Sequence, residues 1–520
     1  MANVVTPRAM RNDYRPEIDG LRAVAVLIVI FFHFRVPGFA GGFVGVDVFF
    51  VVSGYLITRL IACEVAAGTF TFANFYSRRS RRILPALYVT VCGTIIAAGL
   101  FFTPADLARL ARVSLWTVGF ASNFFFWQES GYFDRDAHFK PLLHTWSLSV
   151  EEQFYFLWPA LLLLLLRFKP GVVLPFILAI FAISLYLSIF VDTASTIFYM
   201  LPFRAHEFAI GALLAWWPAH WLRSEVFRGF LVTLGLALIG AATVWFTPSL
   251  RFPSYYALVP CVGAGLIIIG GRSVLGNQLL GNRVSVGVGK ISYSLYLAHW
   301  PIYVIYFYHY GVVSTKATVA LIGASFVLAV ASYFLVESPF RRNHTMVKPL
   351  VPAAGALAAI SMFILATAGL PQRIELASGK PMVTKTPVYG GESCAPRCES
   401  SPNATTRVYL LGDSHARAYY HGLKTKYPSI NFIVHEHGGC EFYSDQYYGD
   451  GIQDAQVCLK KREAAWNEIA GTESVVLLGQ HWWANFGETQ LSPNGLPSVR
   501  ASDLLPTFRT KDYLRDCPPE

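Results

Sequence analysis

The stretch from Tyr14 to Thr58, YRPEIDGLRAVAVLIVIFFHFRVPGFAGGFVGVDVFFVVSGYLIT, decides how this chain reads. It holds two apolar runs of membrane-spanning length joined by a short Gly-rich turn. Asp19, Arg22, His33, Arg35, Asp47 and Ser53 sit inside these runs or at their edges. Ionisable groups at membrane depth are costly, which makes them functional candidates. With a helix beginning at Leu21, His33 lies roughly 18 Å along it, past the middle of a roughly 30 Å hydrocarbon core. A histidine there either bridges helices or takes part in chemistry, and position alone does not choose.

The composition carries the same pattern along the chain. Of 520 residues, 54% are hydrophobic and only 14% charged, where soluble domains carry about a quarter. Apolar runs near 21–37, 43–62, 83–103, 147–167, 171–191, 199–217, 229–246, 255–271, 291–310, 317–336 and 349–369 predict about eleven transmembrane helices. This is a polytopic α-helical membrane domain, with no room for a large soluble core before residue 371. The polar, basic N-terminus leads into a full span, so no cleavable signal peptide is expected. Basic residues gather in alternate loops, at Arg8, Arg11 and Arg15, at Arg78, Arg79, Arg81 and Arg82, and again at Arg341, Arg342 and Lys348. That pattern predicts a cytoplasmic N-terminus, and an odd number of spans places everything after residue 370 outside. The net charge of +10 is then a product of topology and gives no reason to expect a nucleic-acid partner.

Two polar clusters stand out. In SRRSRRILP, Ser77 to Pro85, four arginines precede a span, and Arg78 and Arg82 share a helical face. Arginine forks suit phosphate oxygens, so the cluster is either a positive-inside anchor or a site for an anionic, phosphate-bearing cytosolic ligand. In HTWSLSVEEQFYFLWP, His144 to Pro159, the carboxylates Glu151 and Glu152 lie about one turn into a span that enters from outside. Glu151 and His33 are then expected at similar depth, as a general-base pair or as an interhelical tie. His144 and Trp146 fall at the outer interface, where aromatic anchoring is the plain reading. Arg204 and Glu207 are three apart and can pair, and His299 before Trp300 and Pro301 can shape or line a cavity. No metal is expected.

Taken together, DGLRAVAV with the following histidine (Asp19 to His33), GVDVFFVVSGYLIT (Gly45 to Thr58), FYSRRSRRILPAL (Phe75 to Leu87), HTWSLSVEEQFYFLWP, SYSLYLAHWP (Ser292 to Pro301) and VESPFR (Val336 to Arg341) resemble the acyltransferase-3 family of membrane O-acyltransferases. The resemblance implies O-acetylation of bacterial envelope glycans, lipopolysaccharide O-antigen for example, with acetyl-CoA as cytosolic donor. It implies an essential first-span histidine at His33 and donor binding at Arg78 and Arg82. Glu151 is the expected partner of His33, with Asp19, Arg22, Asp47, Ser53, His144, Glu152 and His299 in support. Residues 1–342 form the family's membrane domain, with a further span in 343–370.

Residues 371–402 are rich in Pro, Gly and Ser without an apolar period and read as a tether. Beyond it, TRVYLLGDSHARAYYHGL, Thr406 to Leu423, is a buried strand running into a helix, which presents Ser414 as a nucleophile. GDSH resembles the first block of the SGNH hydrolase fold, so 403–520 is expected to be a small α/β SGNH-like domain outside the inner membrane. HGGC, His437 to Cys440, could supply an oxyanion donor, and VVLLGQHWW, Val475 to Trp483, is a second buried strand ending at the same edge. Cys394, Cys398, Cys440, Cys458 and Cys517 all follow residue 370, as suits an oxidising periplasm. The domain departs from its family in one respect. None of His415, His421, His435, His437 and His481 stands three residues after an aspartate, as the family's base does. The segment is also short for a doubly wound domain, so Ser414 is expected to be weakly activated and the domain truncated.

Two function classes follow. One is acetyl transfer from cytosolic acetyl-CoA to an extracytoplasmic sugar hydroxyl. The other is a transporter or flippase with a buried His/Glu proton relay.

Overall fold

The computed structural model describes residues 14–130, 137–216, 222–343 and 348–373, and in the C-terminal part 397–404, 406–412, 420, 423–424, 427–436, 452–470 and 475–479. The chain divides into two units, Met1–Ser378 and Gly379–Glu520.

The first unit is helical. In chain order α1 is Pro16–His33, α2 Gly45–Ala66, α3 Phe72–Phe101, α4 Pro104–Val118, α5 Ser122–Glu129, α6 Thr145–Phe168, α7 Val173–Phe190, α8 Ala194–Tyr199 and α9 Leu201–Leu214. Then follow α10 Glu225–Trp245, α11 Leu258–Gly270, α12 Val274–Leu279, α13 Arg283–Tyr310, α14 Thr315–Ser332, α15 Ser338–Arg342 and α16 Leu350–Ala366. Their ends obey local chemistry. Pro16 opens α1, with Glu17 and Asp19 in the first turn, where negative charge suits the helix dipole. Asn282 caps α13 by accepting from the Val284 and Ser285 N–H groups, and α13 stops at Gly311, whose φ of 72° is left-handed.

Seven helices among the described residues are long and apolar enough to cross a membrane, and Ser254–Gly270 and Leu350–Ala366 are apolar but shorter. Each expected span coincides with a helix, yet the number eleven is not established. Helix α1 carries Glu17, Asp19 and Arg22 within its length, and α13 is rich in Tyr and His. The expected loop 104–146 holds two helices, α4 and α5, and α4 packs on α16. The outer surface is apolar. In the apolar window of Thr315–Arg342 only 11% of residues are buried, and Val327, Leu328, Phe334 and Leu335 face outward. An apolar face of that extent belongs against lipid.

Small residues fix the crossings that matter. A Cβ on Gly289 of α13 would collide with the carbonyl oxygen of Asp19 on α1, so the two backbones touch there. From that crossing the helices run side by side, and His299 comes to rest against His33. Between α14 and α15 a π-helical turn, Tyr333–Glu337, delivers the buried Glu337 to α13, where the Ser294 hydroxyl donates to it at 3.0 Å.

The second unit contains a four-stranded sheet in the order β1-β3-β2-β4, where β1 is Arg397–Glu399, β2 Thr406–Gly412, β3 Ile430–Glu436 and β4 Val475–Gly479. Strand β2 is parallel to both β3 and β4, and β1 runs antiparallel to β3. Alternation along β2 and β3 sorts the core. Tyr409, Leu411 and Ile433 pack with Ala465 and Ile469 of helix α17, Ile452–Ile469, while Val408, Leu410, Phe432 and Val434 pack with Tyr420 on the other face. The register pairs Gly412 with Glu436 and with Gly479, so the three parallel strands end at one edge. Ser414, HGGC, His481 and the side chains of the five candidate disulfide cysteines lie outside the described residues.

Candidate functional site

A cavity of about 80 Å³ opens between α1, α2, α3, α6 and α13. Its polar lining is Arg22, Ser53, Arg79, Arg82, Glu151 and Tyr155, with Ser147, Tyr293 and Tyr296 beside them. The remaining walls are apolar, from Val46, Phe49, Phe50 and Ile83 among others. Three arginines from two helices thus face one space. Five N–H donors on each fork make such a group a receptor for phosphate or carboxylate oxygens.

The carboxylate in this cavity is held by hydroxyls. Ser53 Oγ and Tyr155 OH both donate to Glu151 Oε1, and Tyr155 OH lies 2.9 Å from Ser53 Oγ. The Arg79 guanidinium sits over the Tyr155 ring, 4.5 Å from its centroid. Glu151 therefore fixes Tyr155, and Tyr155 seats Arg79.

Tyr296 closes one wall. Its hydroxyl meets Ser147 Oγ at 2.7 Å and donates to the His144 carbonyl at 2.9 Å. Its own carbonyl accepts from His299 Nδ1 at 2.7 Å. His299 Nε2 lies 2.8 Å from His33 Nδ1, the two rings meeting edge to edge with an interplanar angle of 11°. Trp300 flanks His33 at 4.6 Å between centroids and is itself held by an Nε1–H bond to the Lys140 carbonyl at 2.8 Å. Tyr296 therefore touches both the arginine cavity and the histidine pair.

The structure rearranges several expected partnerships. His33 and Glu151 do not pair: α13 supplies the partner of His33, and α2 supplies Ser53 to Glu151. Arg78 is not among the lining residues. Its Nη2 donates to both oxygens of Glu64, at 2.7 and 3.0 Å, and Arg79 stands beside Arg82 instead. Asp47 is buried away from the cavity in an ion pair with Arg204. Asp19 holds Arg22 at 3.3 Å and accepts from the Tyr14 hydroxyl. Glu152 has a buried, unbonded Oε1 and is not part of the lining. His144 is buried beside Tyr296 and His299, at 5.5 and 5.7 Å between centroids.

Three residues of this arrangement were not singled out from the sequence, although spacing marks each. Arg79 is three before Arg82, Tyr155 four after Glu151 and Tyr296 three before His299, and those spacings share a helical face.

Comparison with known proteins shows the family of the chain. Residues 15–337 match the family described as "Acyltransferase domain", and residues 384–510 match "SGNH domain (fused to AT3 domains)". The chain is 31% identical over 349 residues to "O-acetyltransferase OatA" of Staphylococcus aureus, covering 64% of this chain and 58% of that protein. It is 31% identical over 355 residues to "Peptidoglycan O-acetyltransferase OatA" of Listeria monocytogenes, covering 64% and 56%. The chain thus spans little more than half the length of these relatives. No solved structure matches.

Proposed function

Because this chain belongs to the acyltransferase family matched over residues 15–337, we propose that it is a membrane O-acetyltransferase that moves acetyl groups from acetyl-CoA to a hydroxyl of a cell-envelope glycan. The observation that carries the reading is the cavity with Arg22, Arg79 and Arg82 on its lining and the His33–His299 pair behind Tyr296. Arg22, Arg79 and Arg82 bind the phosphates of the donor. His33 takes the proton of the acceptor hydroxyl as its oxygen attacks the acetyl carbonyl. The new C–O bond forms, the C–S bond breaks, and the proton passes from His33 to the departing thiolate. Glu151 serves as the hydroxyl acceptor that holds Tyr155 and, through it, Arg79.

The acceptor in this reading is peptidoglycan, supported by the name of the Listeria relative; the sequence leaves the envelope glycan open, with O-antigen as one example. The basic loops support a cytoplasmic N-terminus in the inner membrane, with the donor on the cytoplasmic side and the SGNH domain in the periplasm. The test is protein purified into lipid nanodiscs, supplied with acetyl-CoA labelled in the acetyl group and with soluble peptidoglycan fragments or O-antigen. Label on the peptidoglycan that is lost in His33→Ala is expected. Label on O-antigen alone would overturn the acceptor, and no transfer to any glycan would overturn the activity.

A further inference from the structure

The geometry points to His299 as a positioning residue that fixes the tautomer of His33, leaving Nε2 of His33 as its basic nitrogen. This rests on the reading of His33 as the base. The reasoning begins at the far end of the relay, where the Tyr296 carbonyl can only accept. His299 Nδ1, 2.7 Å away, must therefore carry its proton. In a neutral imidazole the other nitrogen then bears the lone pair, so His299 Nε2 accepts. The atom 2.8 Å from it is His33 Nδ1, which must in turn be the donor. A neutral His33 with its proton on Nδ1 has one lone pair left, on Nε2, which has no partner among the described residues. The near-coplanar hydrogen bond to His299 and the flanking Trp300 ring hold the imidazole in this orientation.

The relay has the logic of a base oriented by a third group, but its orienting group is neutral. A carboxylate partner would hold the His33 cation strongly. A neutral imidazole forms no ion pair with it, so no such pair has to be broken when His33 hands its proton to the departing thiolate. Other titratable or charged groups around the pair are His144, packed on His299, and His138, which faces Trp300 and lies 2.8 Å from Arg35.

The test compares His299→Gln with His299→Leu in nanodiscs. A glutamine can place its carbonyl oxygen where His299 Nε2 now accepts, whereas leucine offers no acceptor. Gln is expected to keep acetyl transfer within about tenfold of wild type, and Leu to lower kcat by about a hundredfold with the KM for acetyl-CoA unchanged. Nitrogen-15 NMR of histidine-labelled protein, with the His33 signals assigned by difference from His33→Ala, reads the tautomer directly. Nδ1 protonated and Nε2 bare at neutral pH is expected. The opposite tautomer, or equal activity of the Gln and Leu variants, would overturn the relay. Wild-type activity in His33→Ala would instead overturn the reading of His33 as base.

Discussion

Asp47 of α2 and Arg204 of α9 meet at 3.0 Å where neither side chain is more than 1% exposed. Glu207 reaches the same guanidinium at 2.9 Å, so one cation serves two buried carboxylates. The rings of Phe50, Trp146, Phe198 and Phe252 surround it, with centroids 5.4 to 5.8 Å from the guanidinium carbon. None of the three charged groups lines the cavity, whose Phe50 wall they share, and together they tie α2 to α9.

Removing the cation should therefore cost more than removing either anion. Arg204→Leu leaves two carboxylates facing each other in an apolar box, a loss on the order of 3–5 kcal/mol. Asp47→Asn leaves Arg204 paired with Glu207 and should cost less. Thermal unfolding in detergent reads the order, and a milder midpoint shift for Arg204→Leu would contradict it.

The arginines should separate by what each one touches. Arg79→Lys and Arg82→Lys lose forked contacts, and each should weaken CoA binding about tenfold. Arg78→Lys, at a residue bound to Glu64, should leave that affinity unchanged. Calorimetry with CoA distinguishes the three, and a matching loss at Arg78 would refute the assignment.

Glu151 should tolerate amidation better than deletion. Glu151→Gln keeps an acceptor for Ser53 and Tyr155, and transfer should stay within about tenfold of wild type. Glu151→Leu leaves Tyr155 only the Ser53 oxygen as acceptor, strands the Ser53 hydroxyl proton at about 1–3 kcal/mol and loosens the ring under Arg79. Its transfer rate should fall about a hundredfold.

Position 289 should accept no side chain. Gly289→Val drives a branched Cβ into the Asp19 carbonyl and forces α13 away from α1, at about 1–3 kcal/mol or more. Because the same crossing sets His299 against His33, transfer should fall along with the unfolding midpoint. Full activity in this variant would show that the crossing does not govern the pair.

Ser414 should be silent. No histidine in 403–520 stands three residues after an aspartate, and an unassisted serine hydroxyl is a poor nucleophile. The full chain and Ser414→Ala should react equally with a fluorophosphonate probe. Ser414-dependent labelling would show an activated serine.

Helix positions were legible because hydropathy is a local property of the chain, and so were strands β2 and β4, written as VYLLG and VVLLG. Helix α4 was legible in principle. Thr103 and Pro104 open it, and the Thr103 hydroxyl accepts from the Asp106 N–H. Partnerships were not. His33 and His299 are 266 residues apart, and nothing in their spacing announces that Gly289 lets α13 touch α1. Equal depth suggested Glu151 as the partner of His33, but depth says nothing of which way each helix is rotated. Which arginines face the cavity was hidden for the same reason. Arg78 and Arg79 both share a face with Arg82, and Glu64, fourteen residues before Arg78, decides between them.

The last acceptor behind His33 belongs to the main chain. A substitution at position 296 changes a ring and a hydroxyl but cannot remove the carbonyl that orients His299. Two codons, those of His33 and His299, therefore supply the side-chain donors and acceptors of the relay, where one ending in a carboxylate would need three. The arrangement offers mutation a smaller target, since no change of the Tyr296 side chain removes that acceptor.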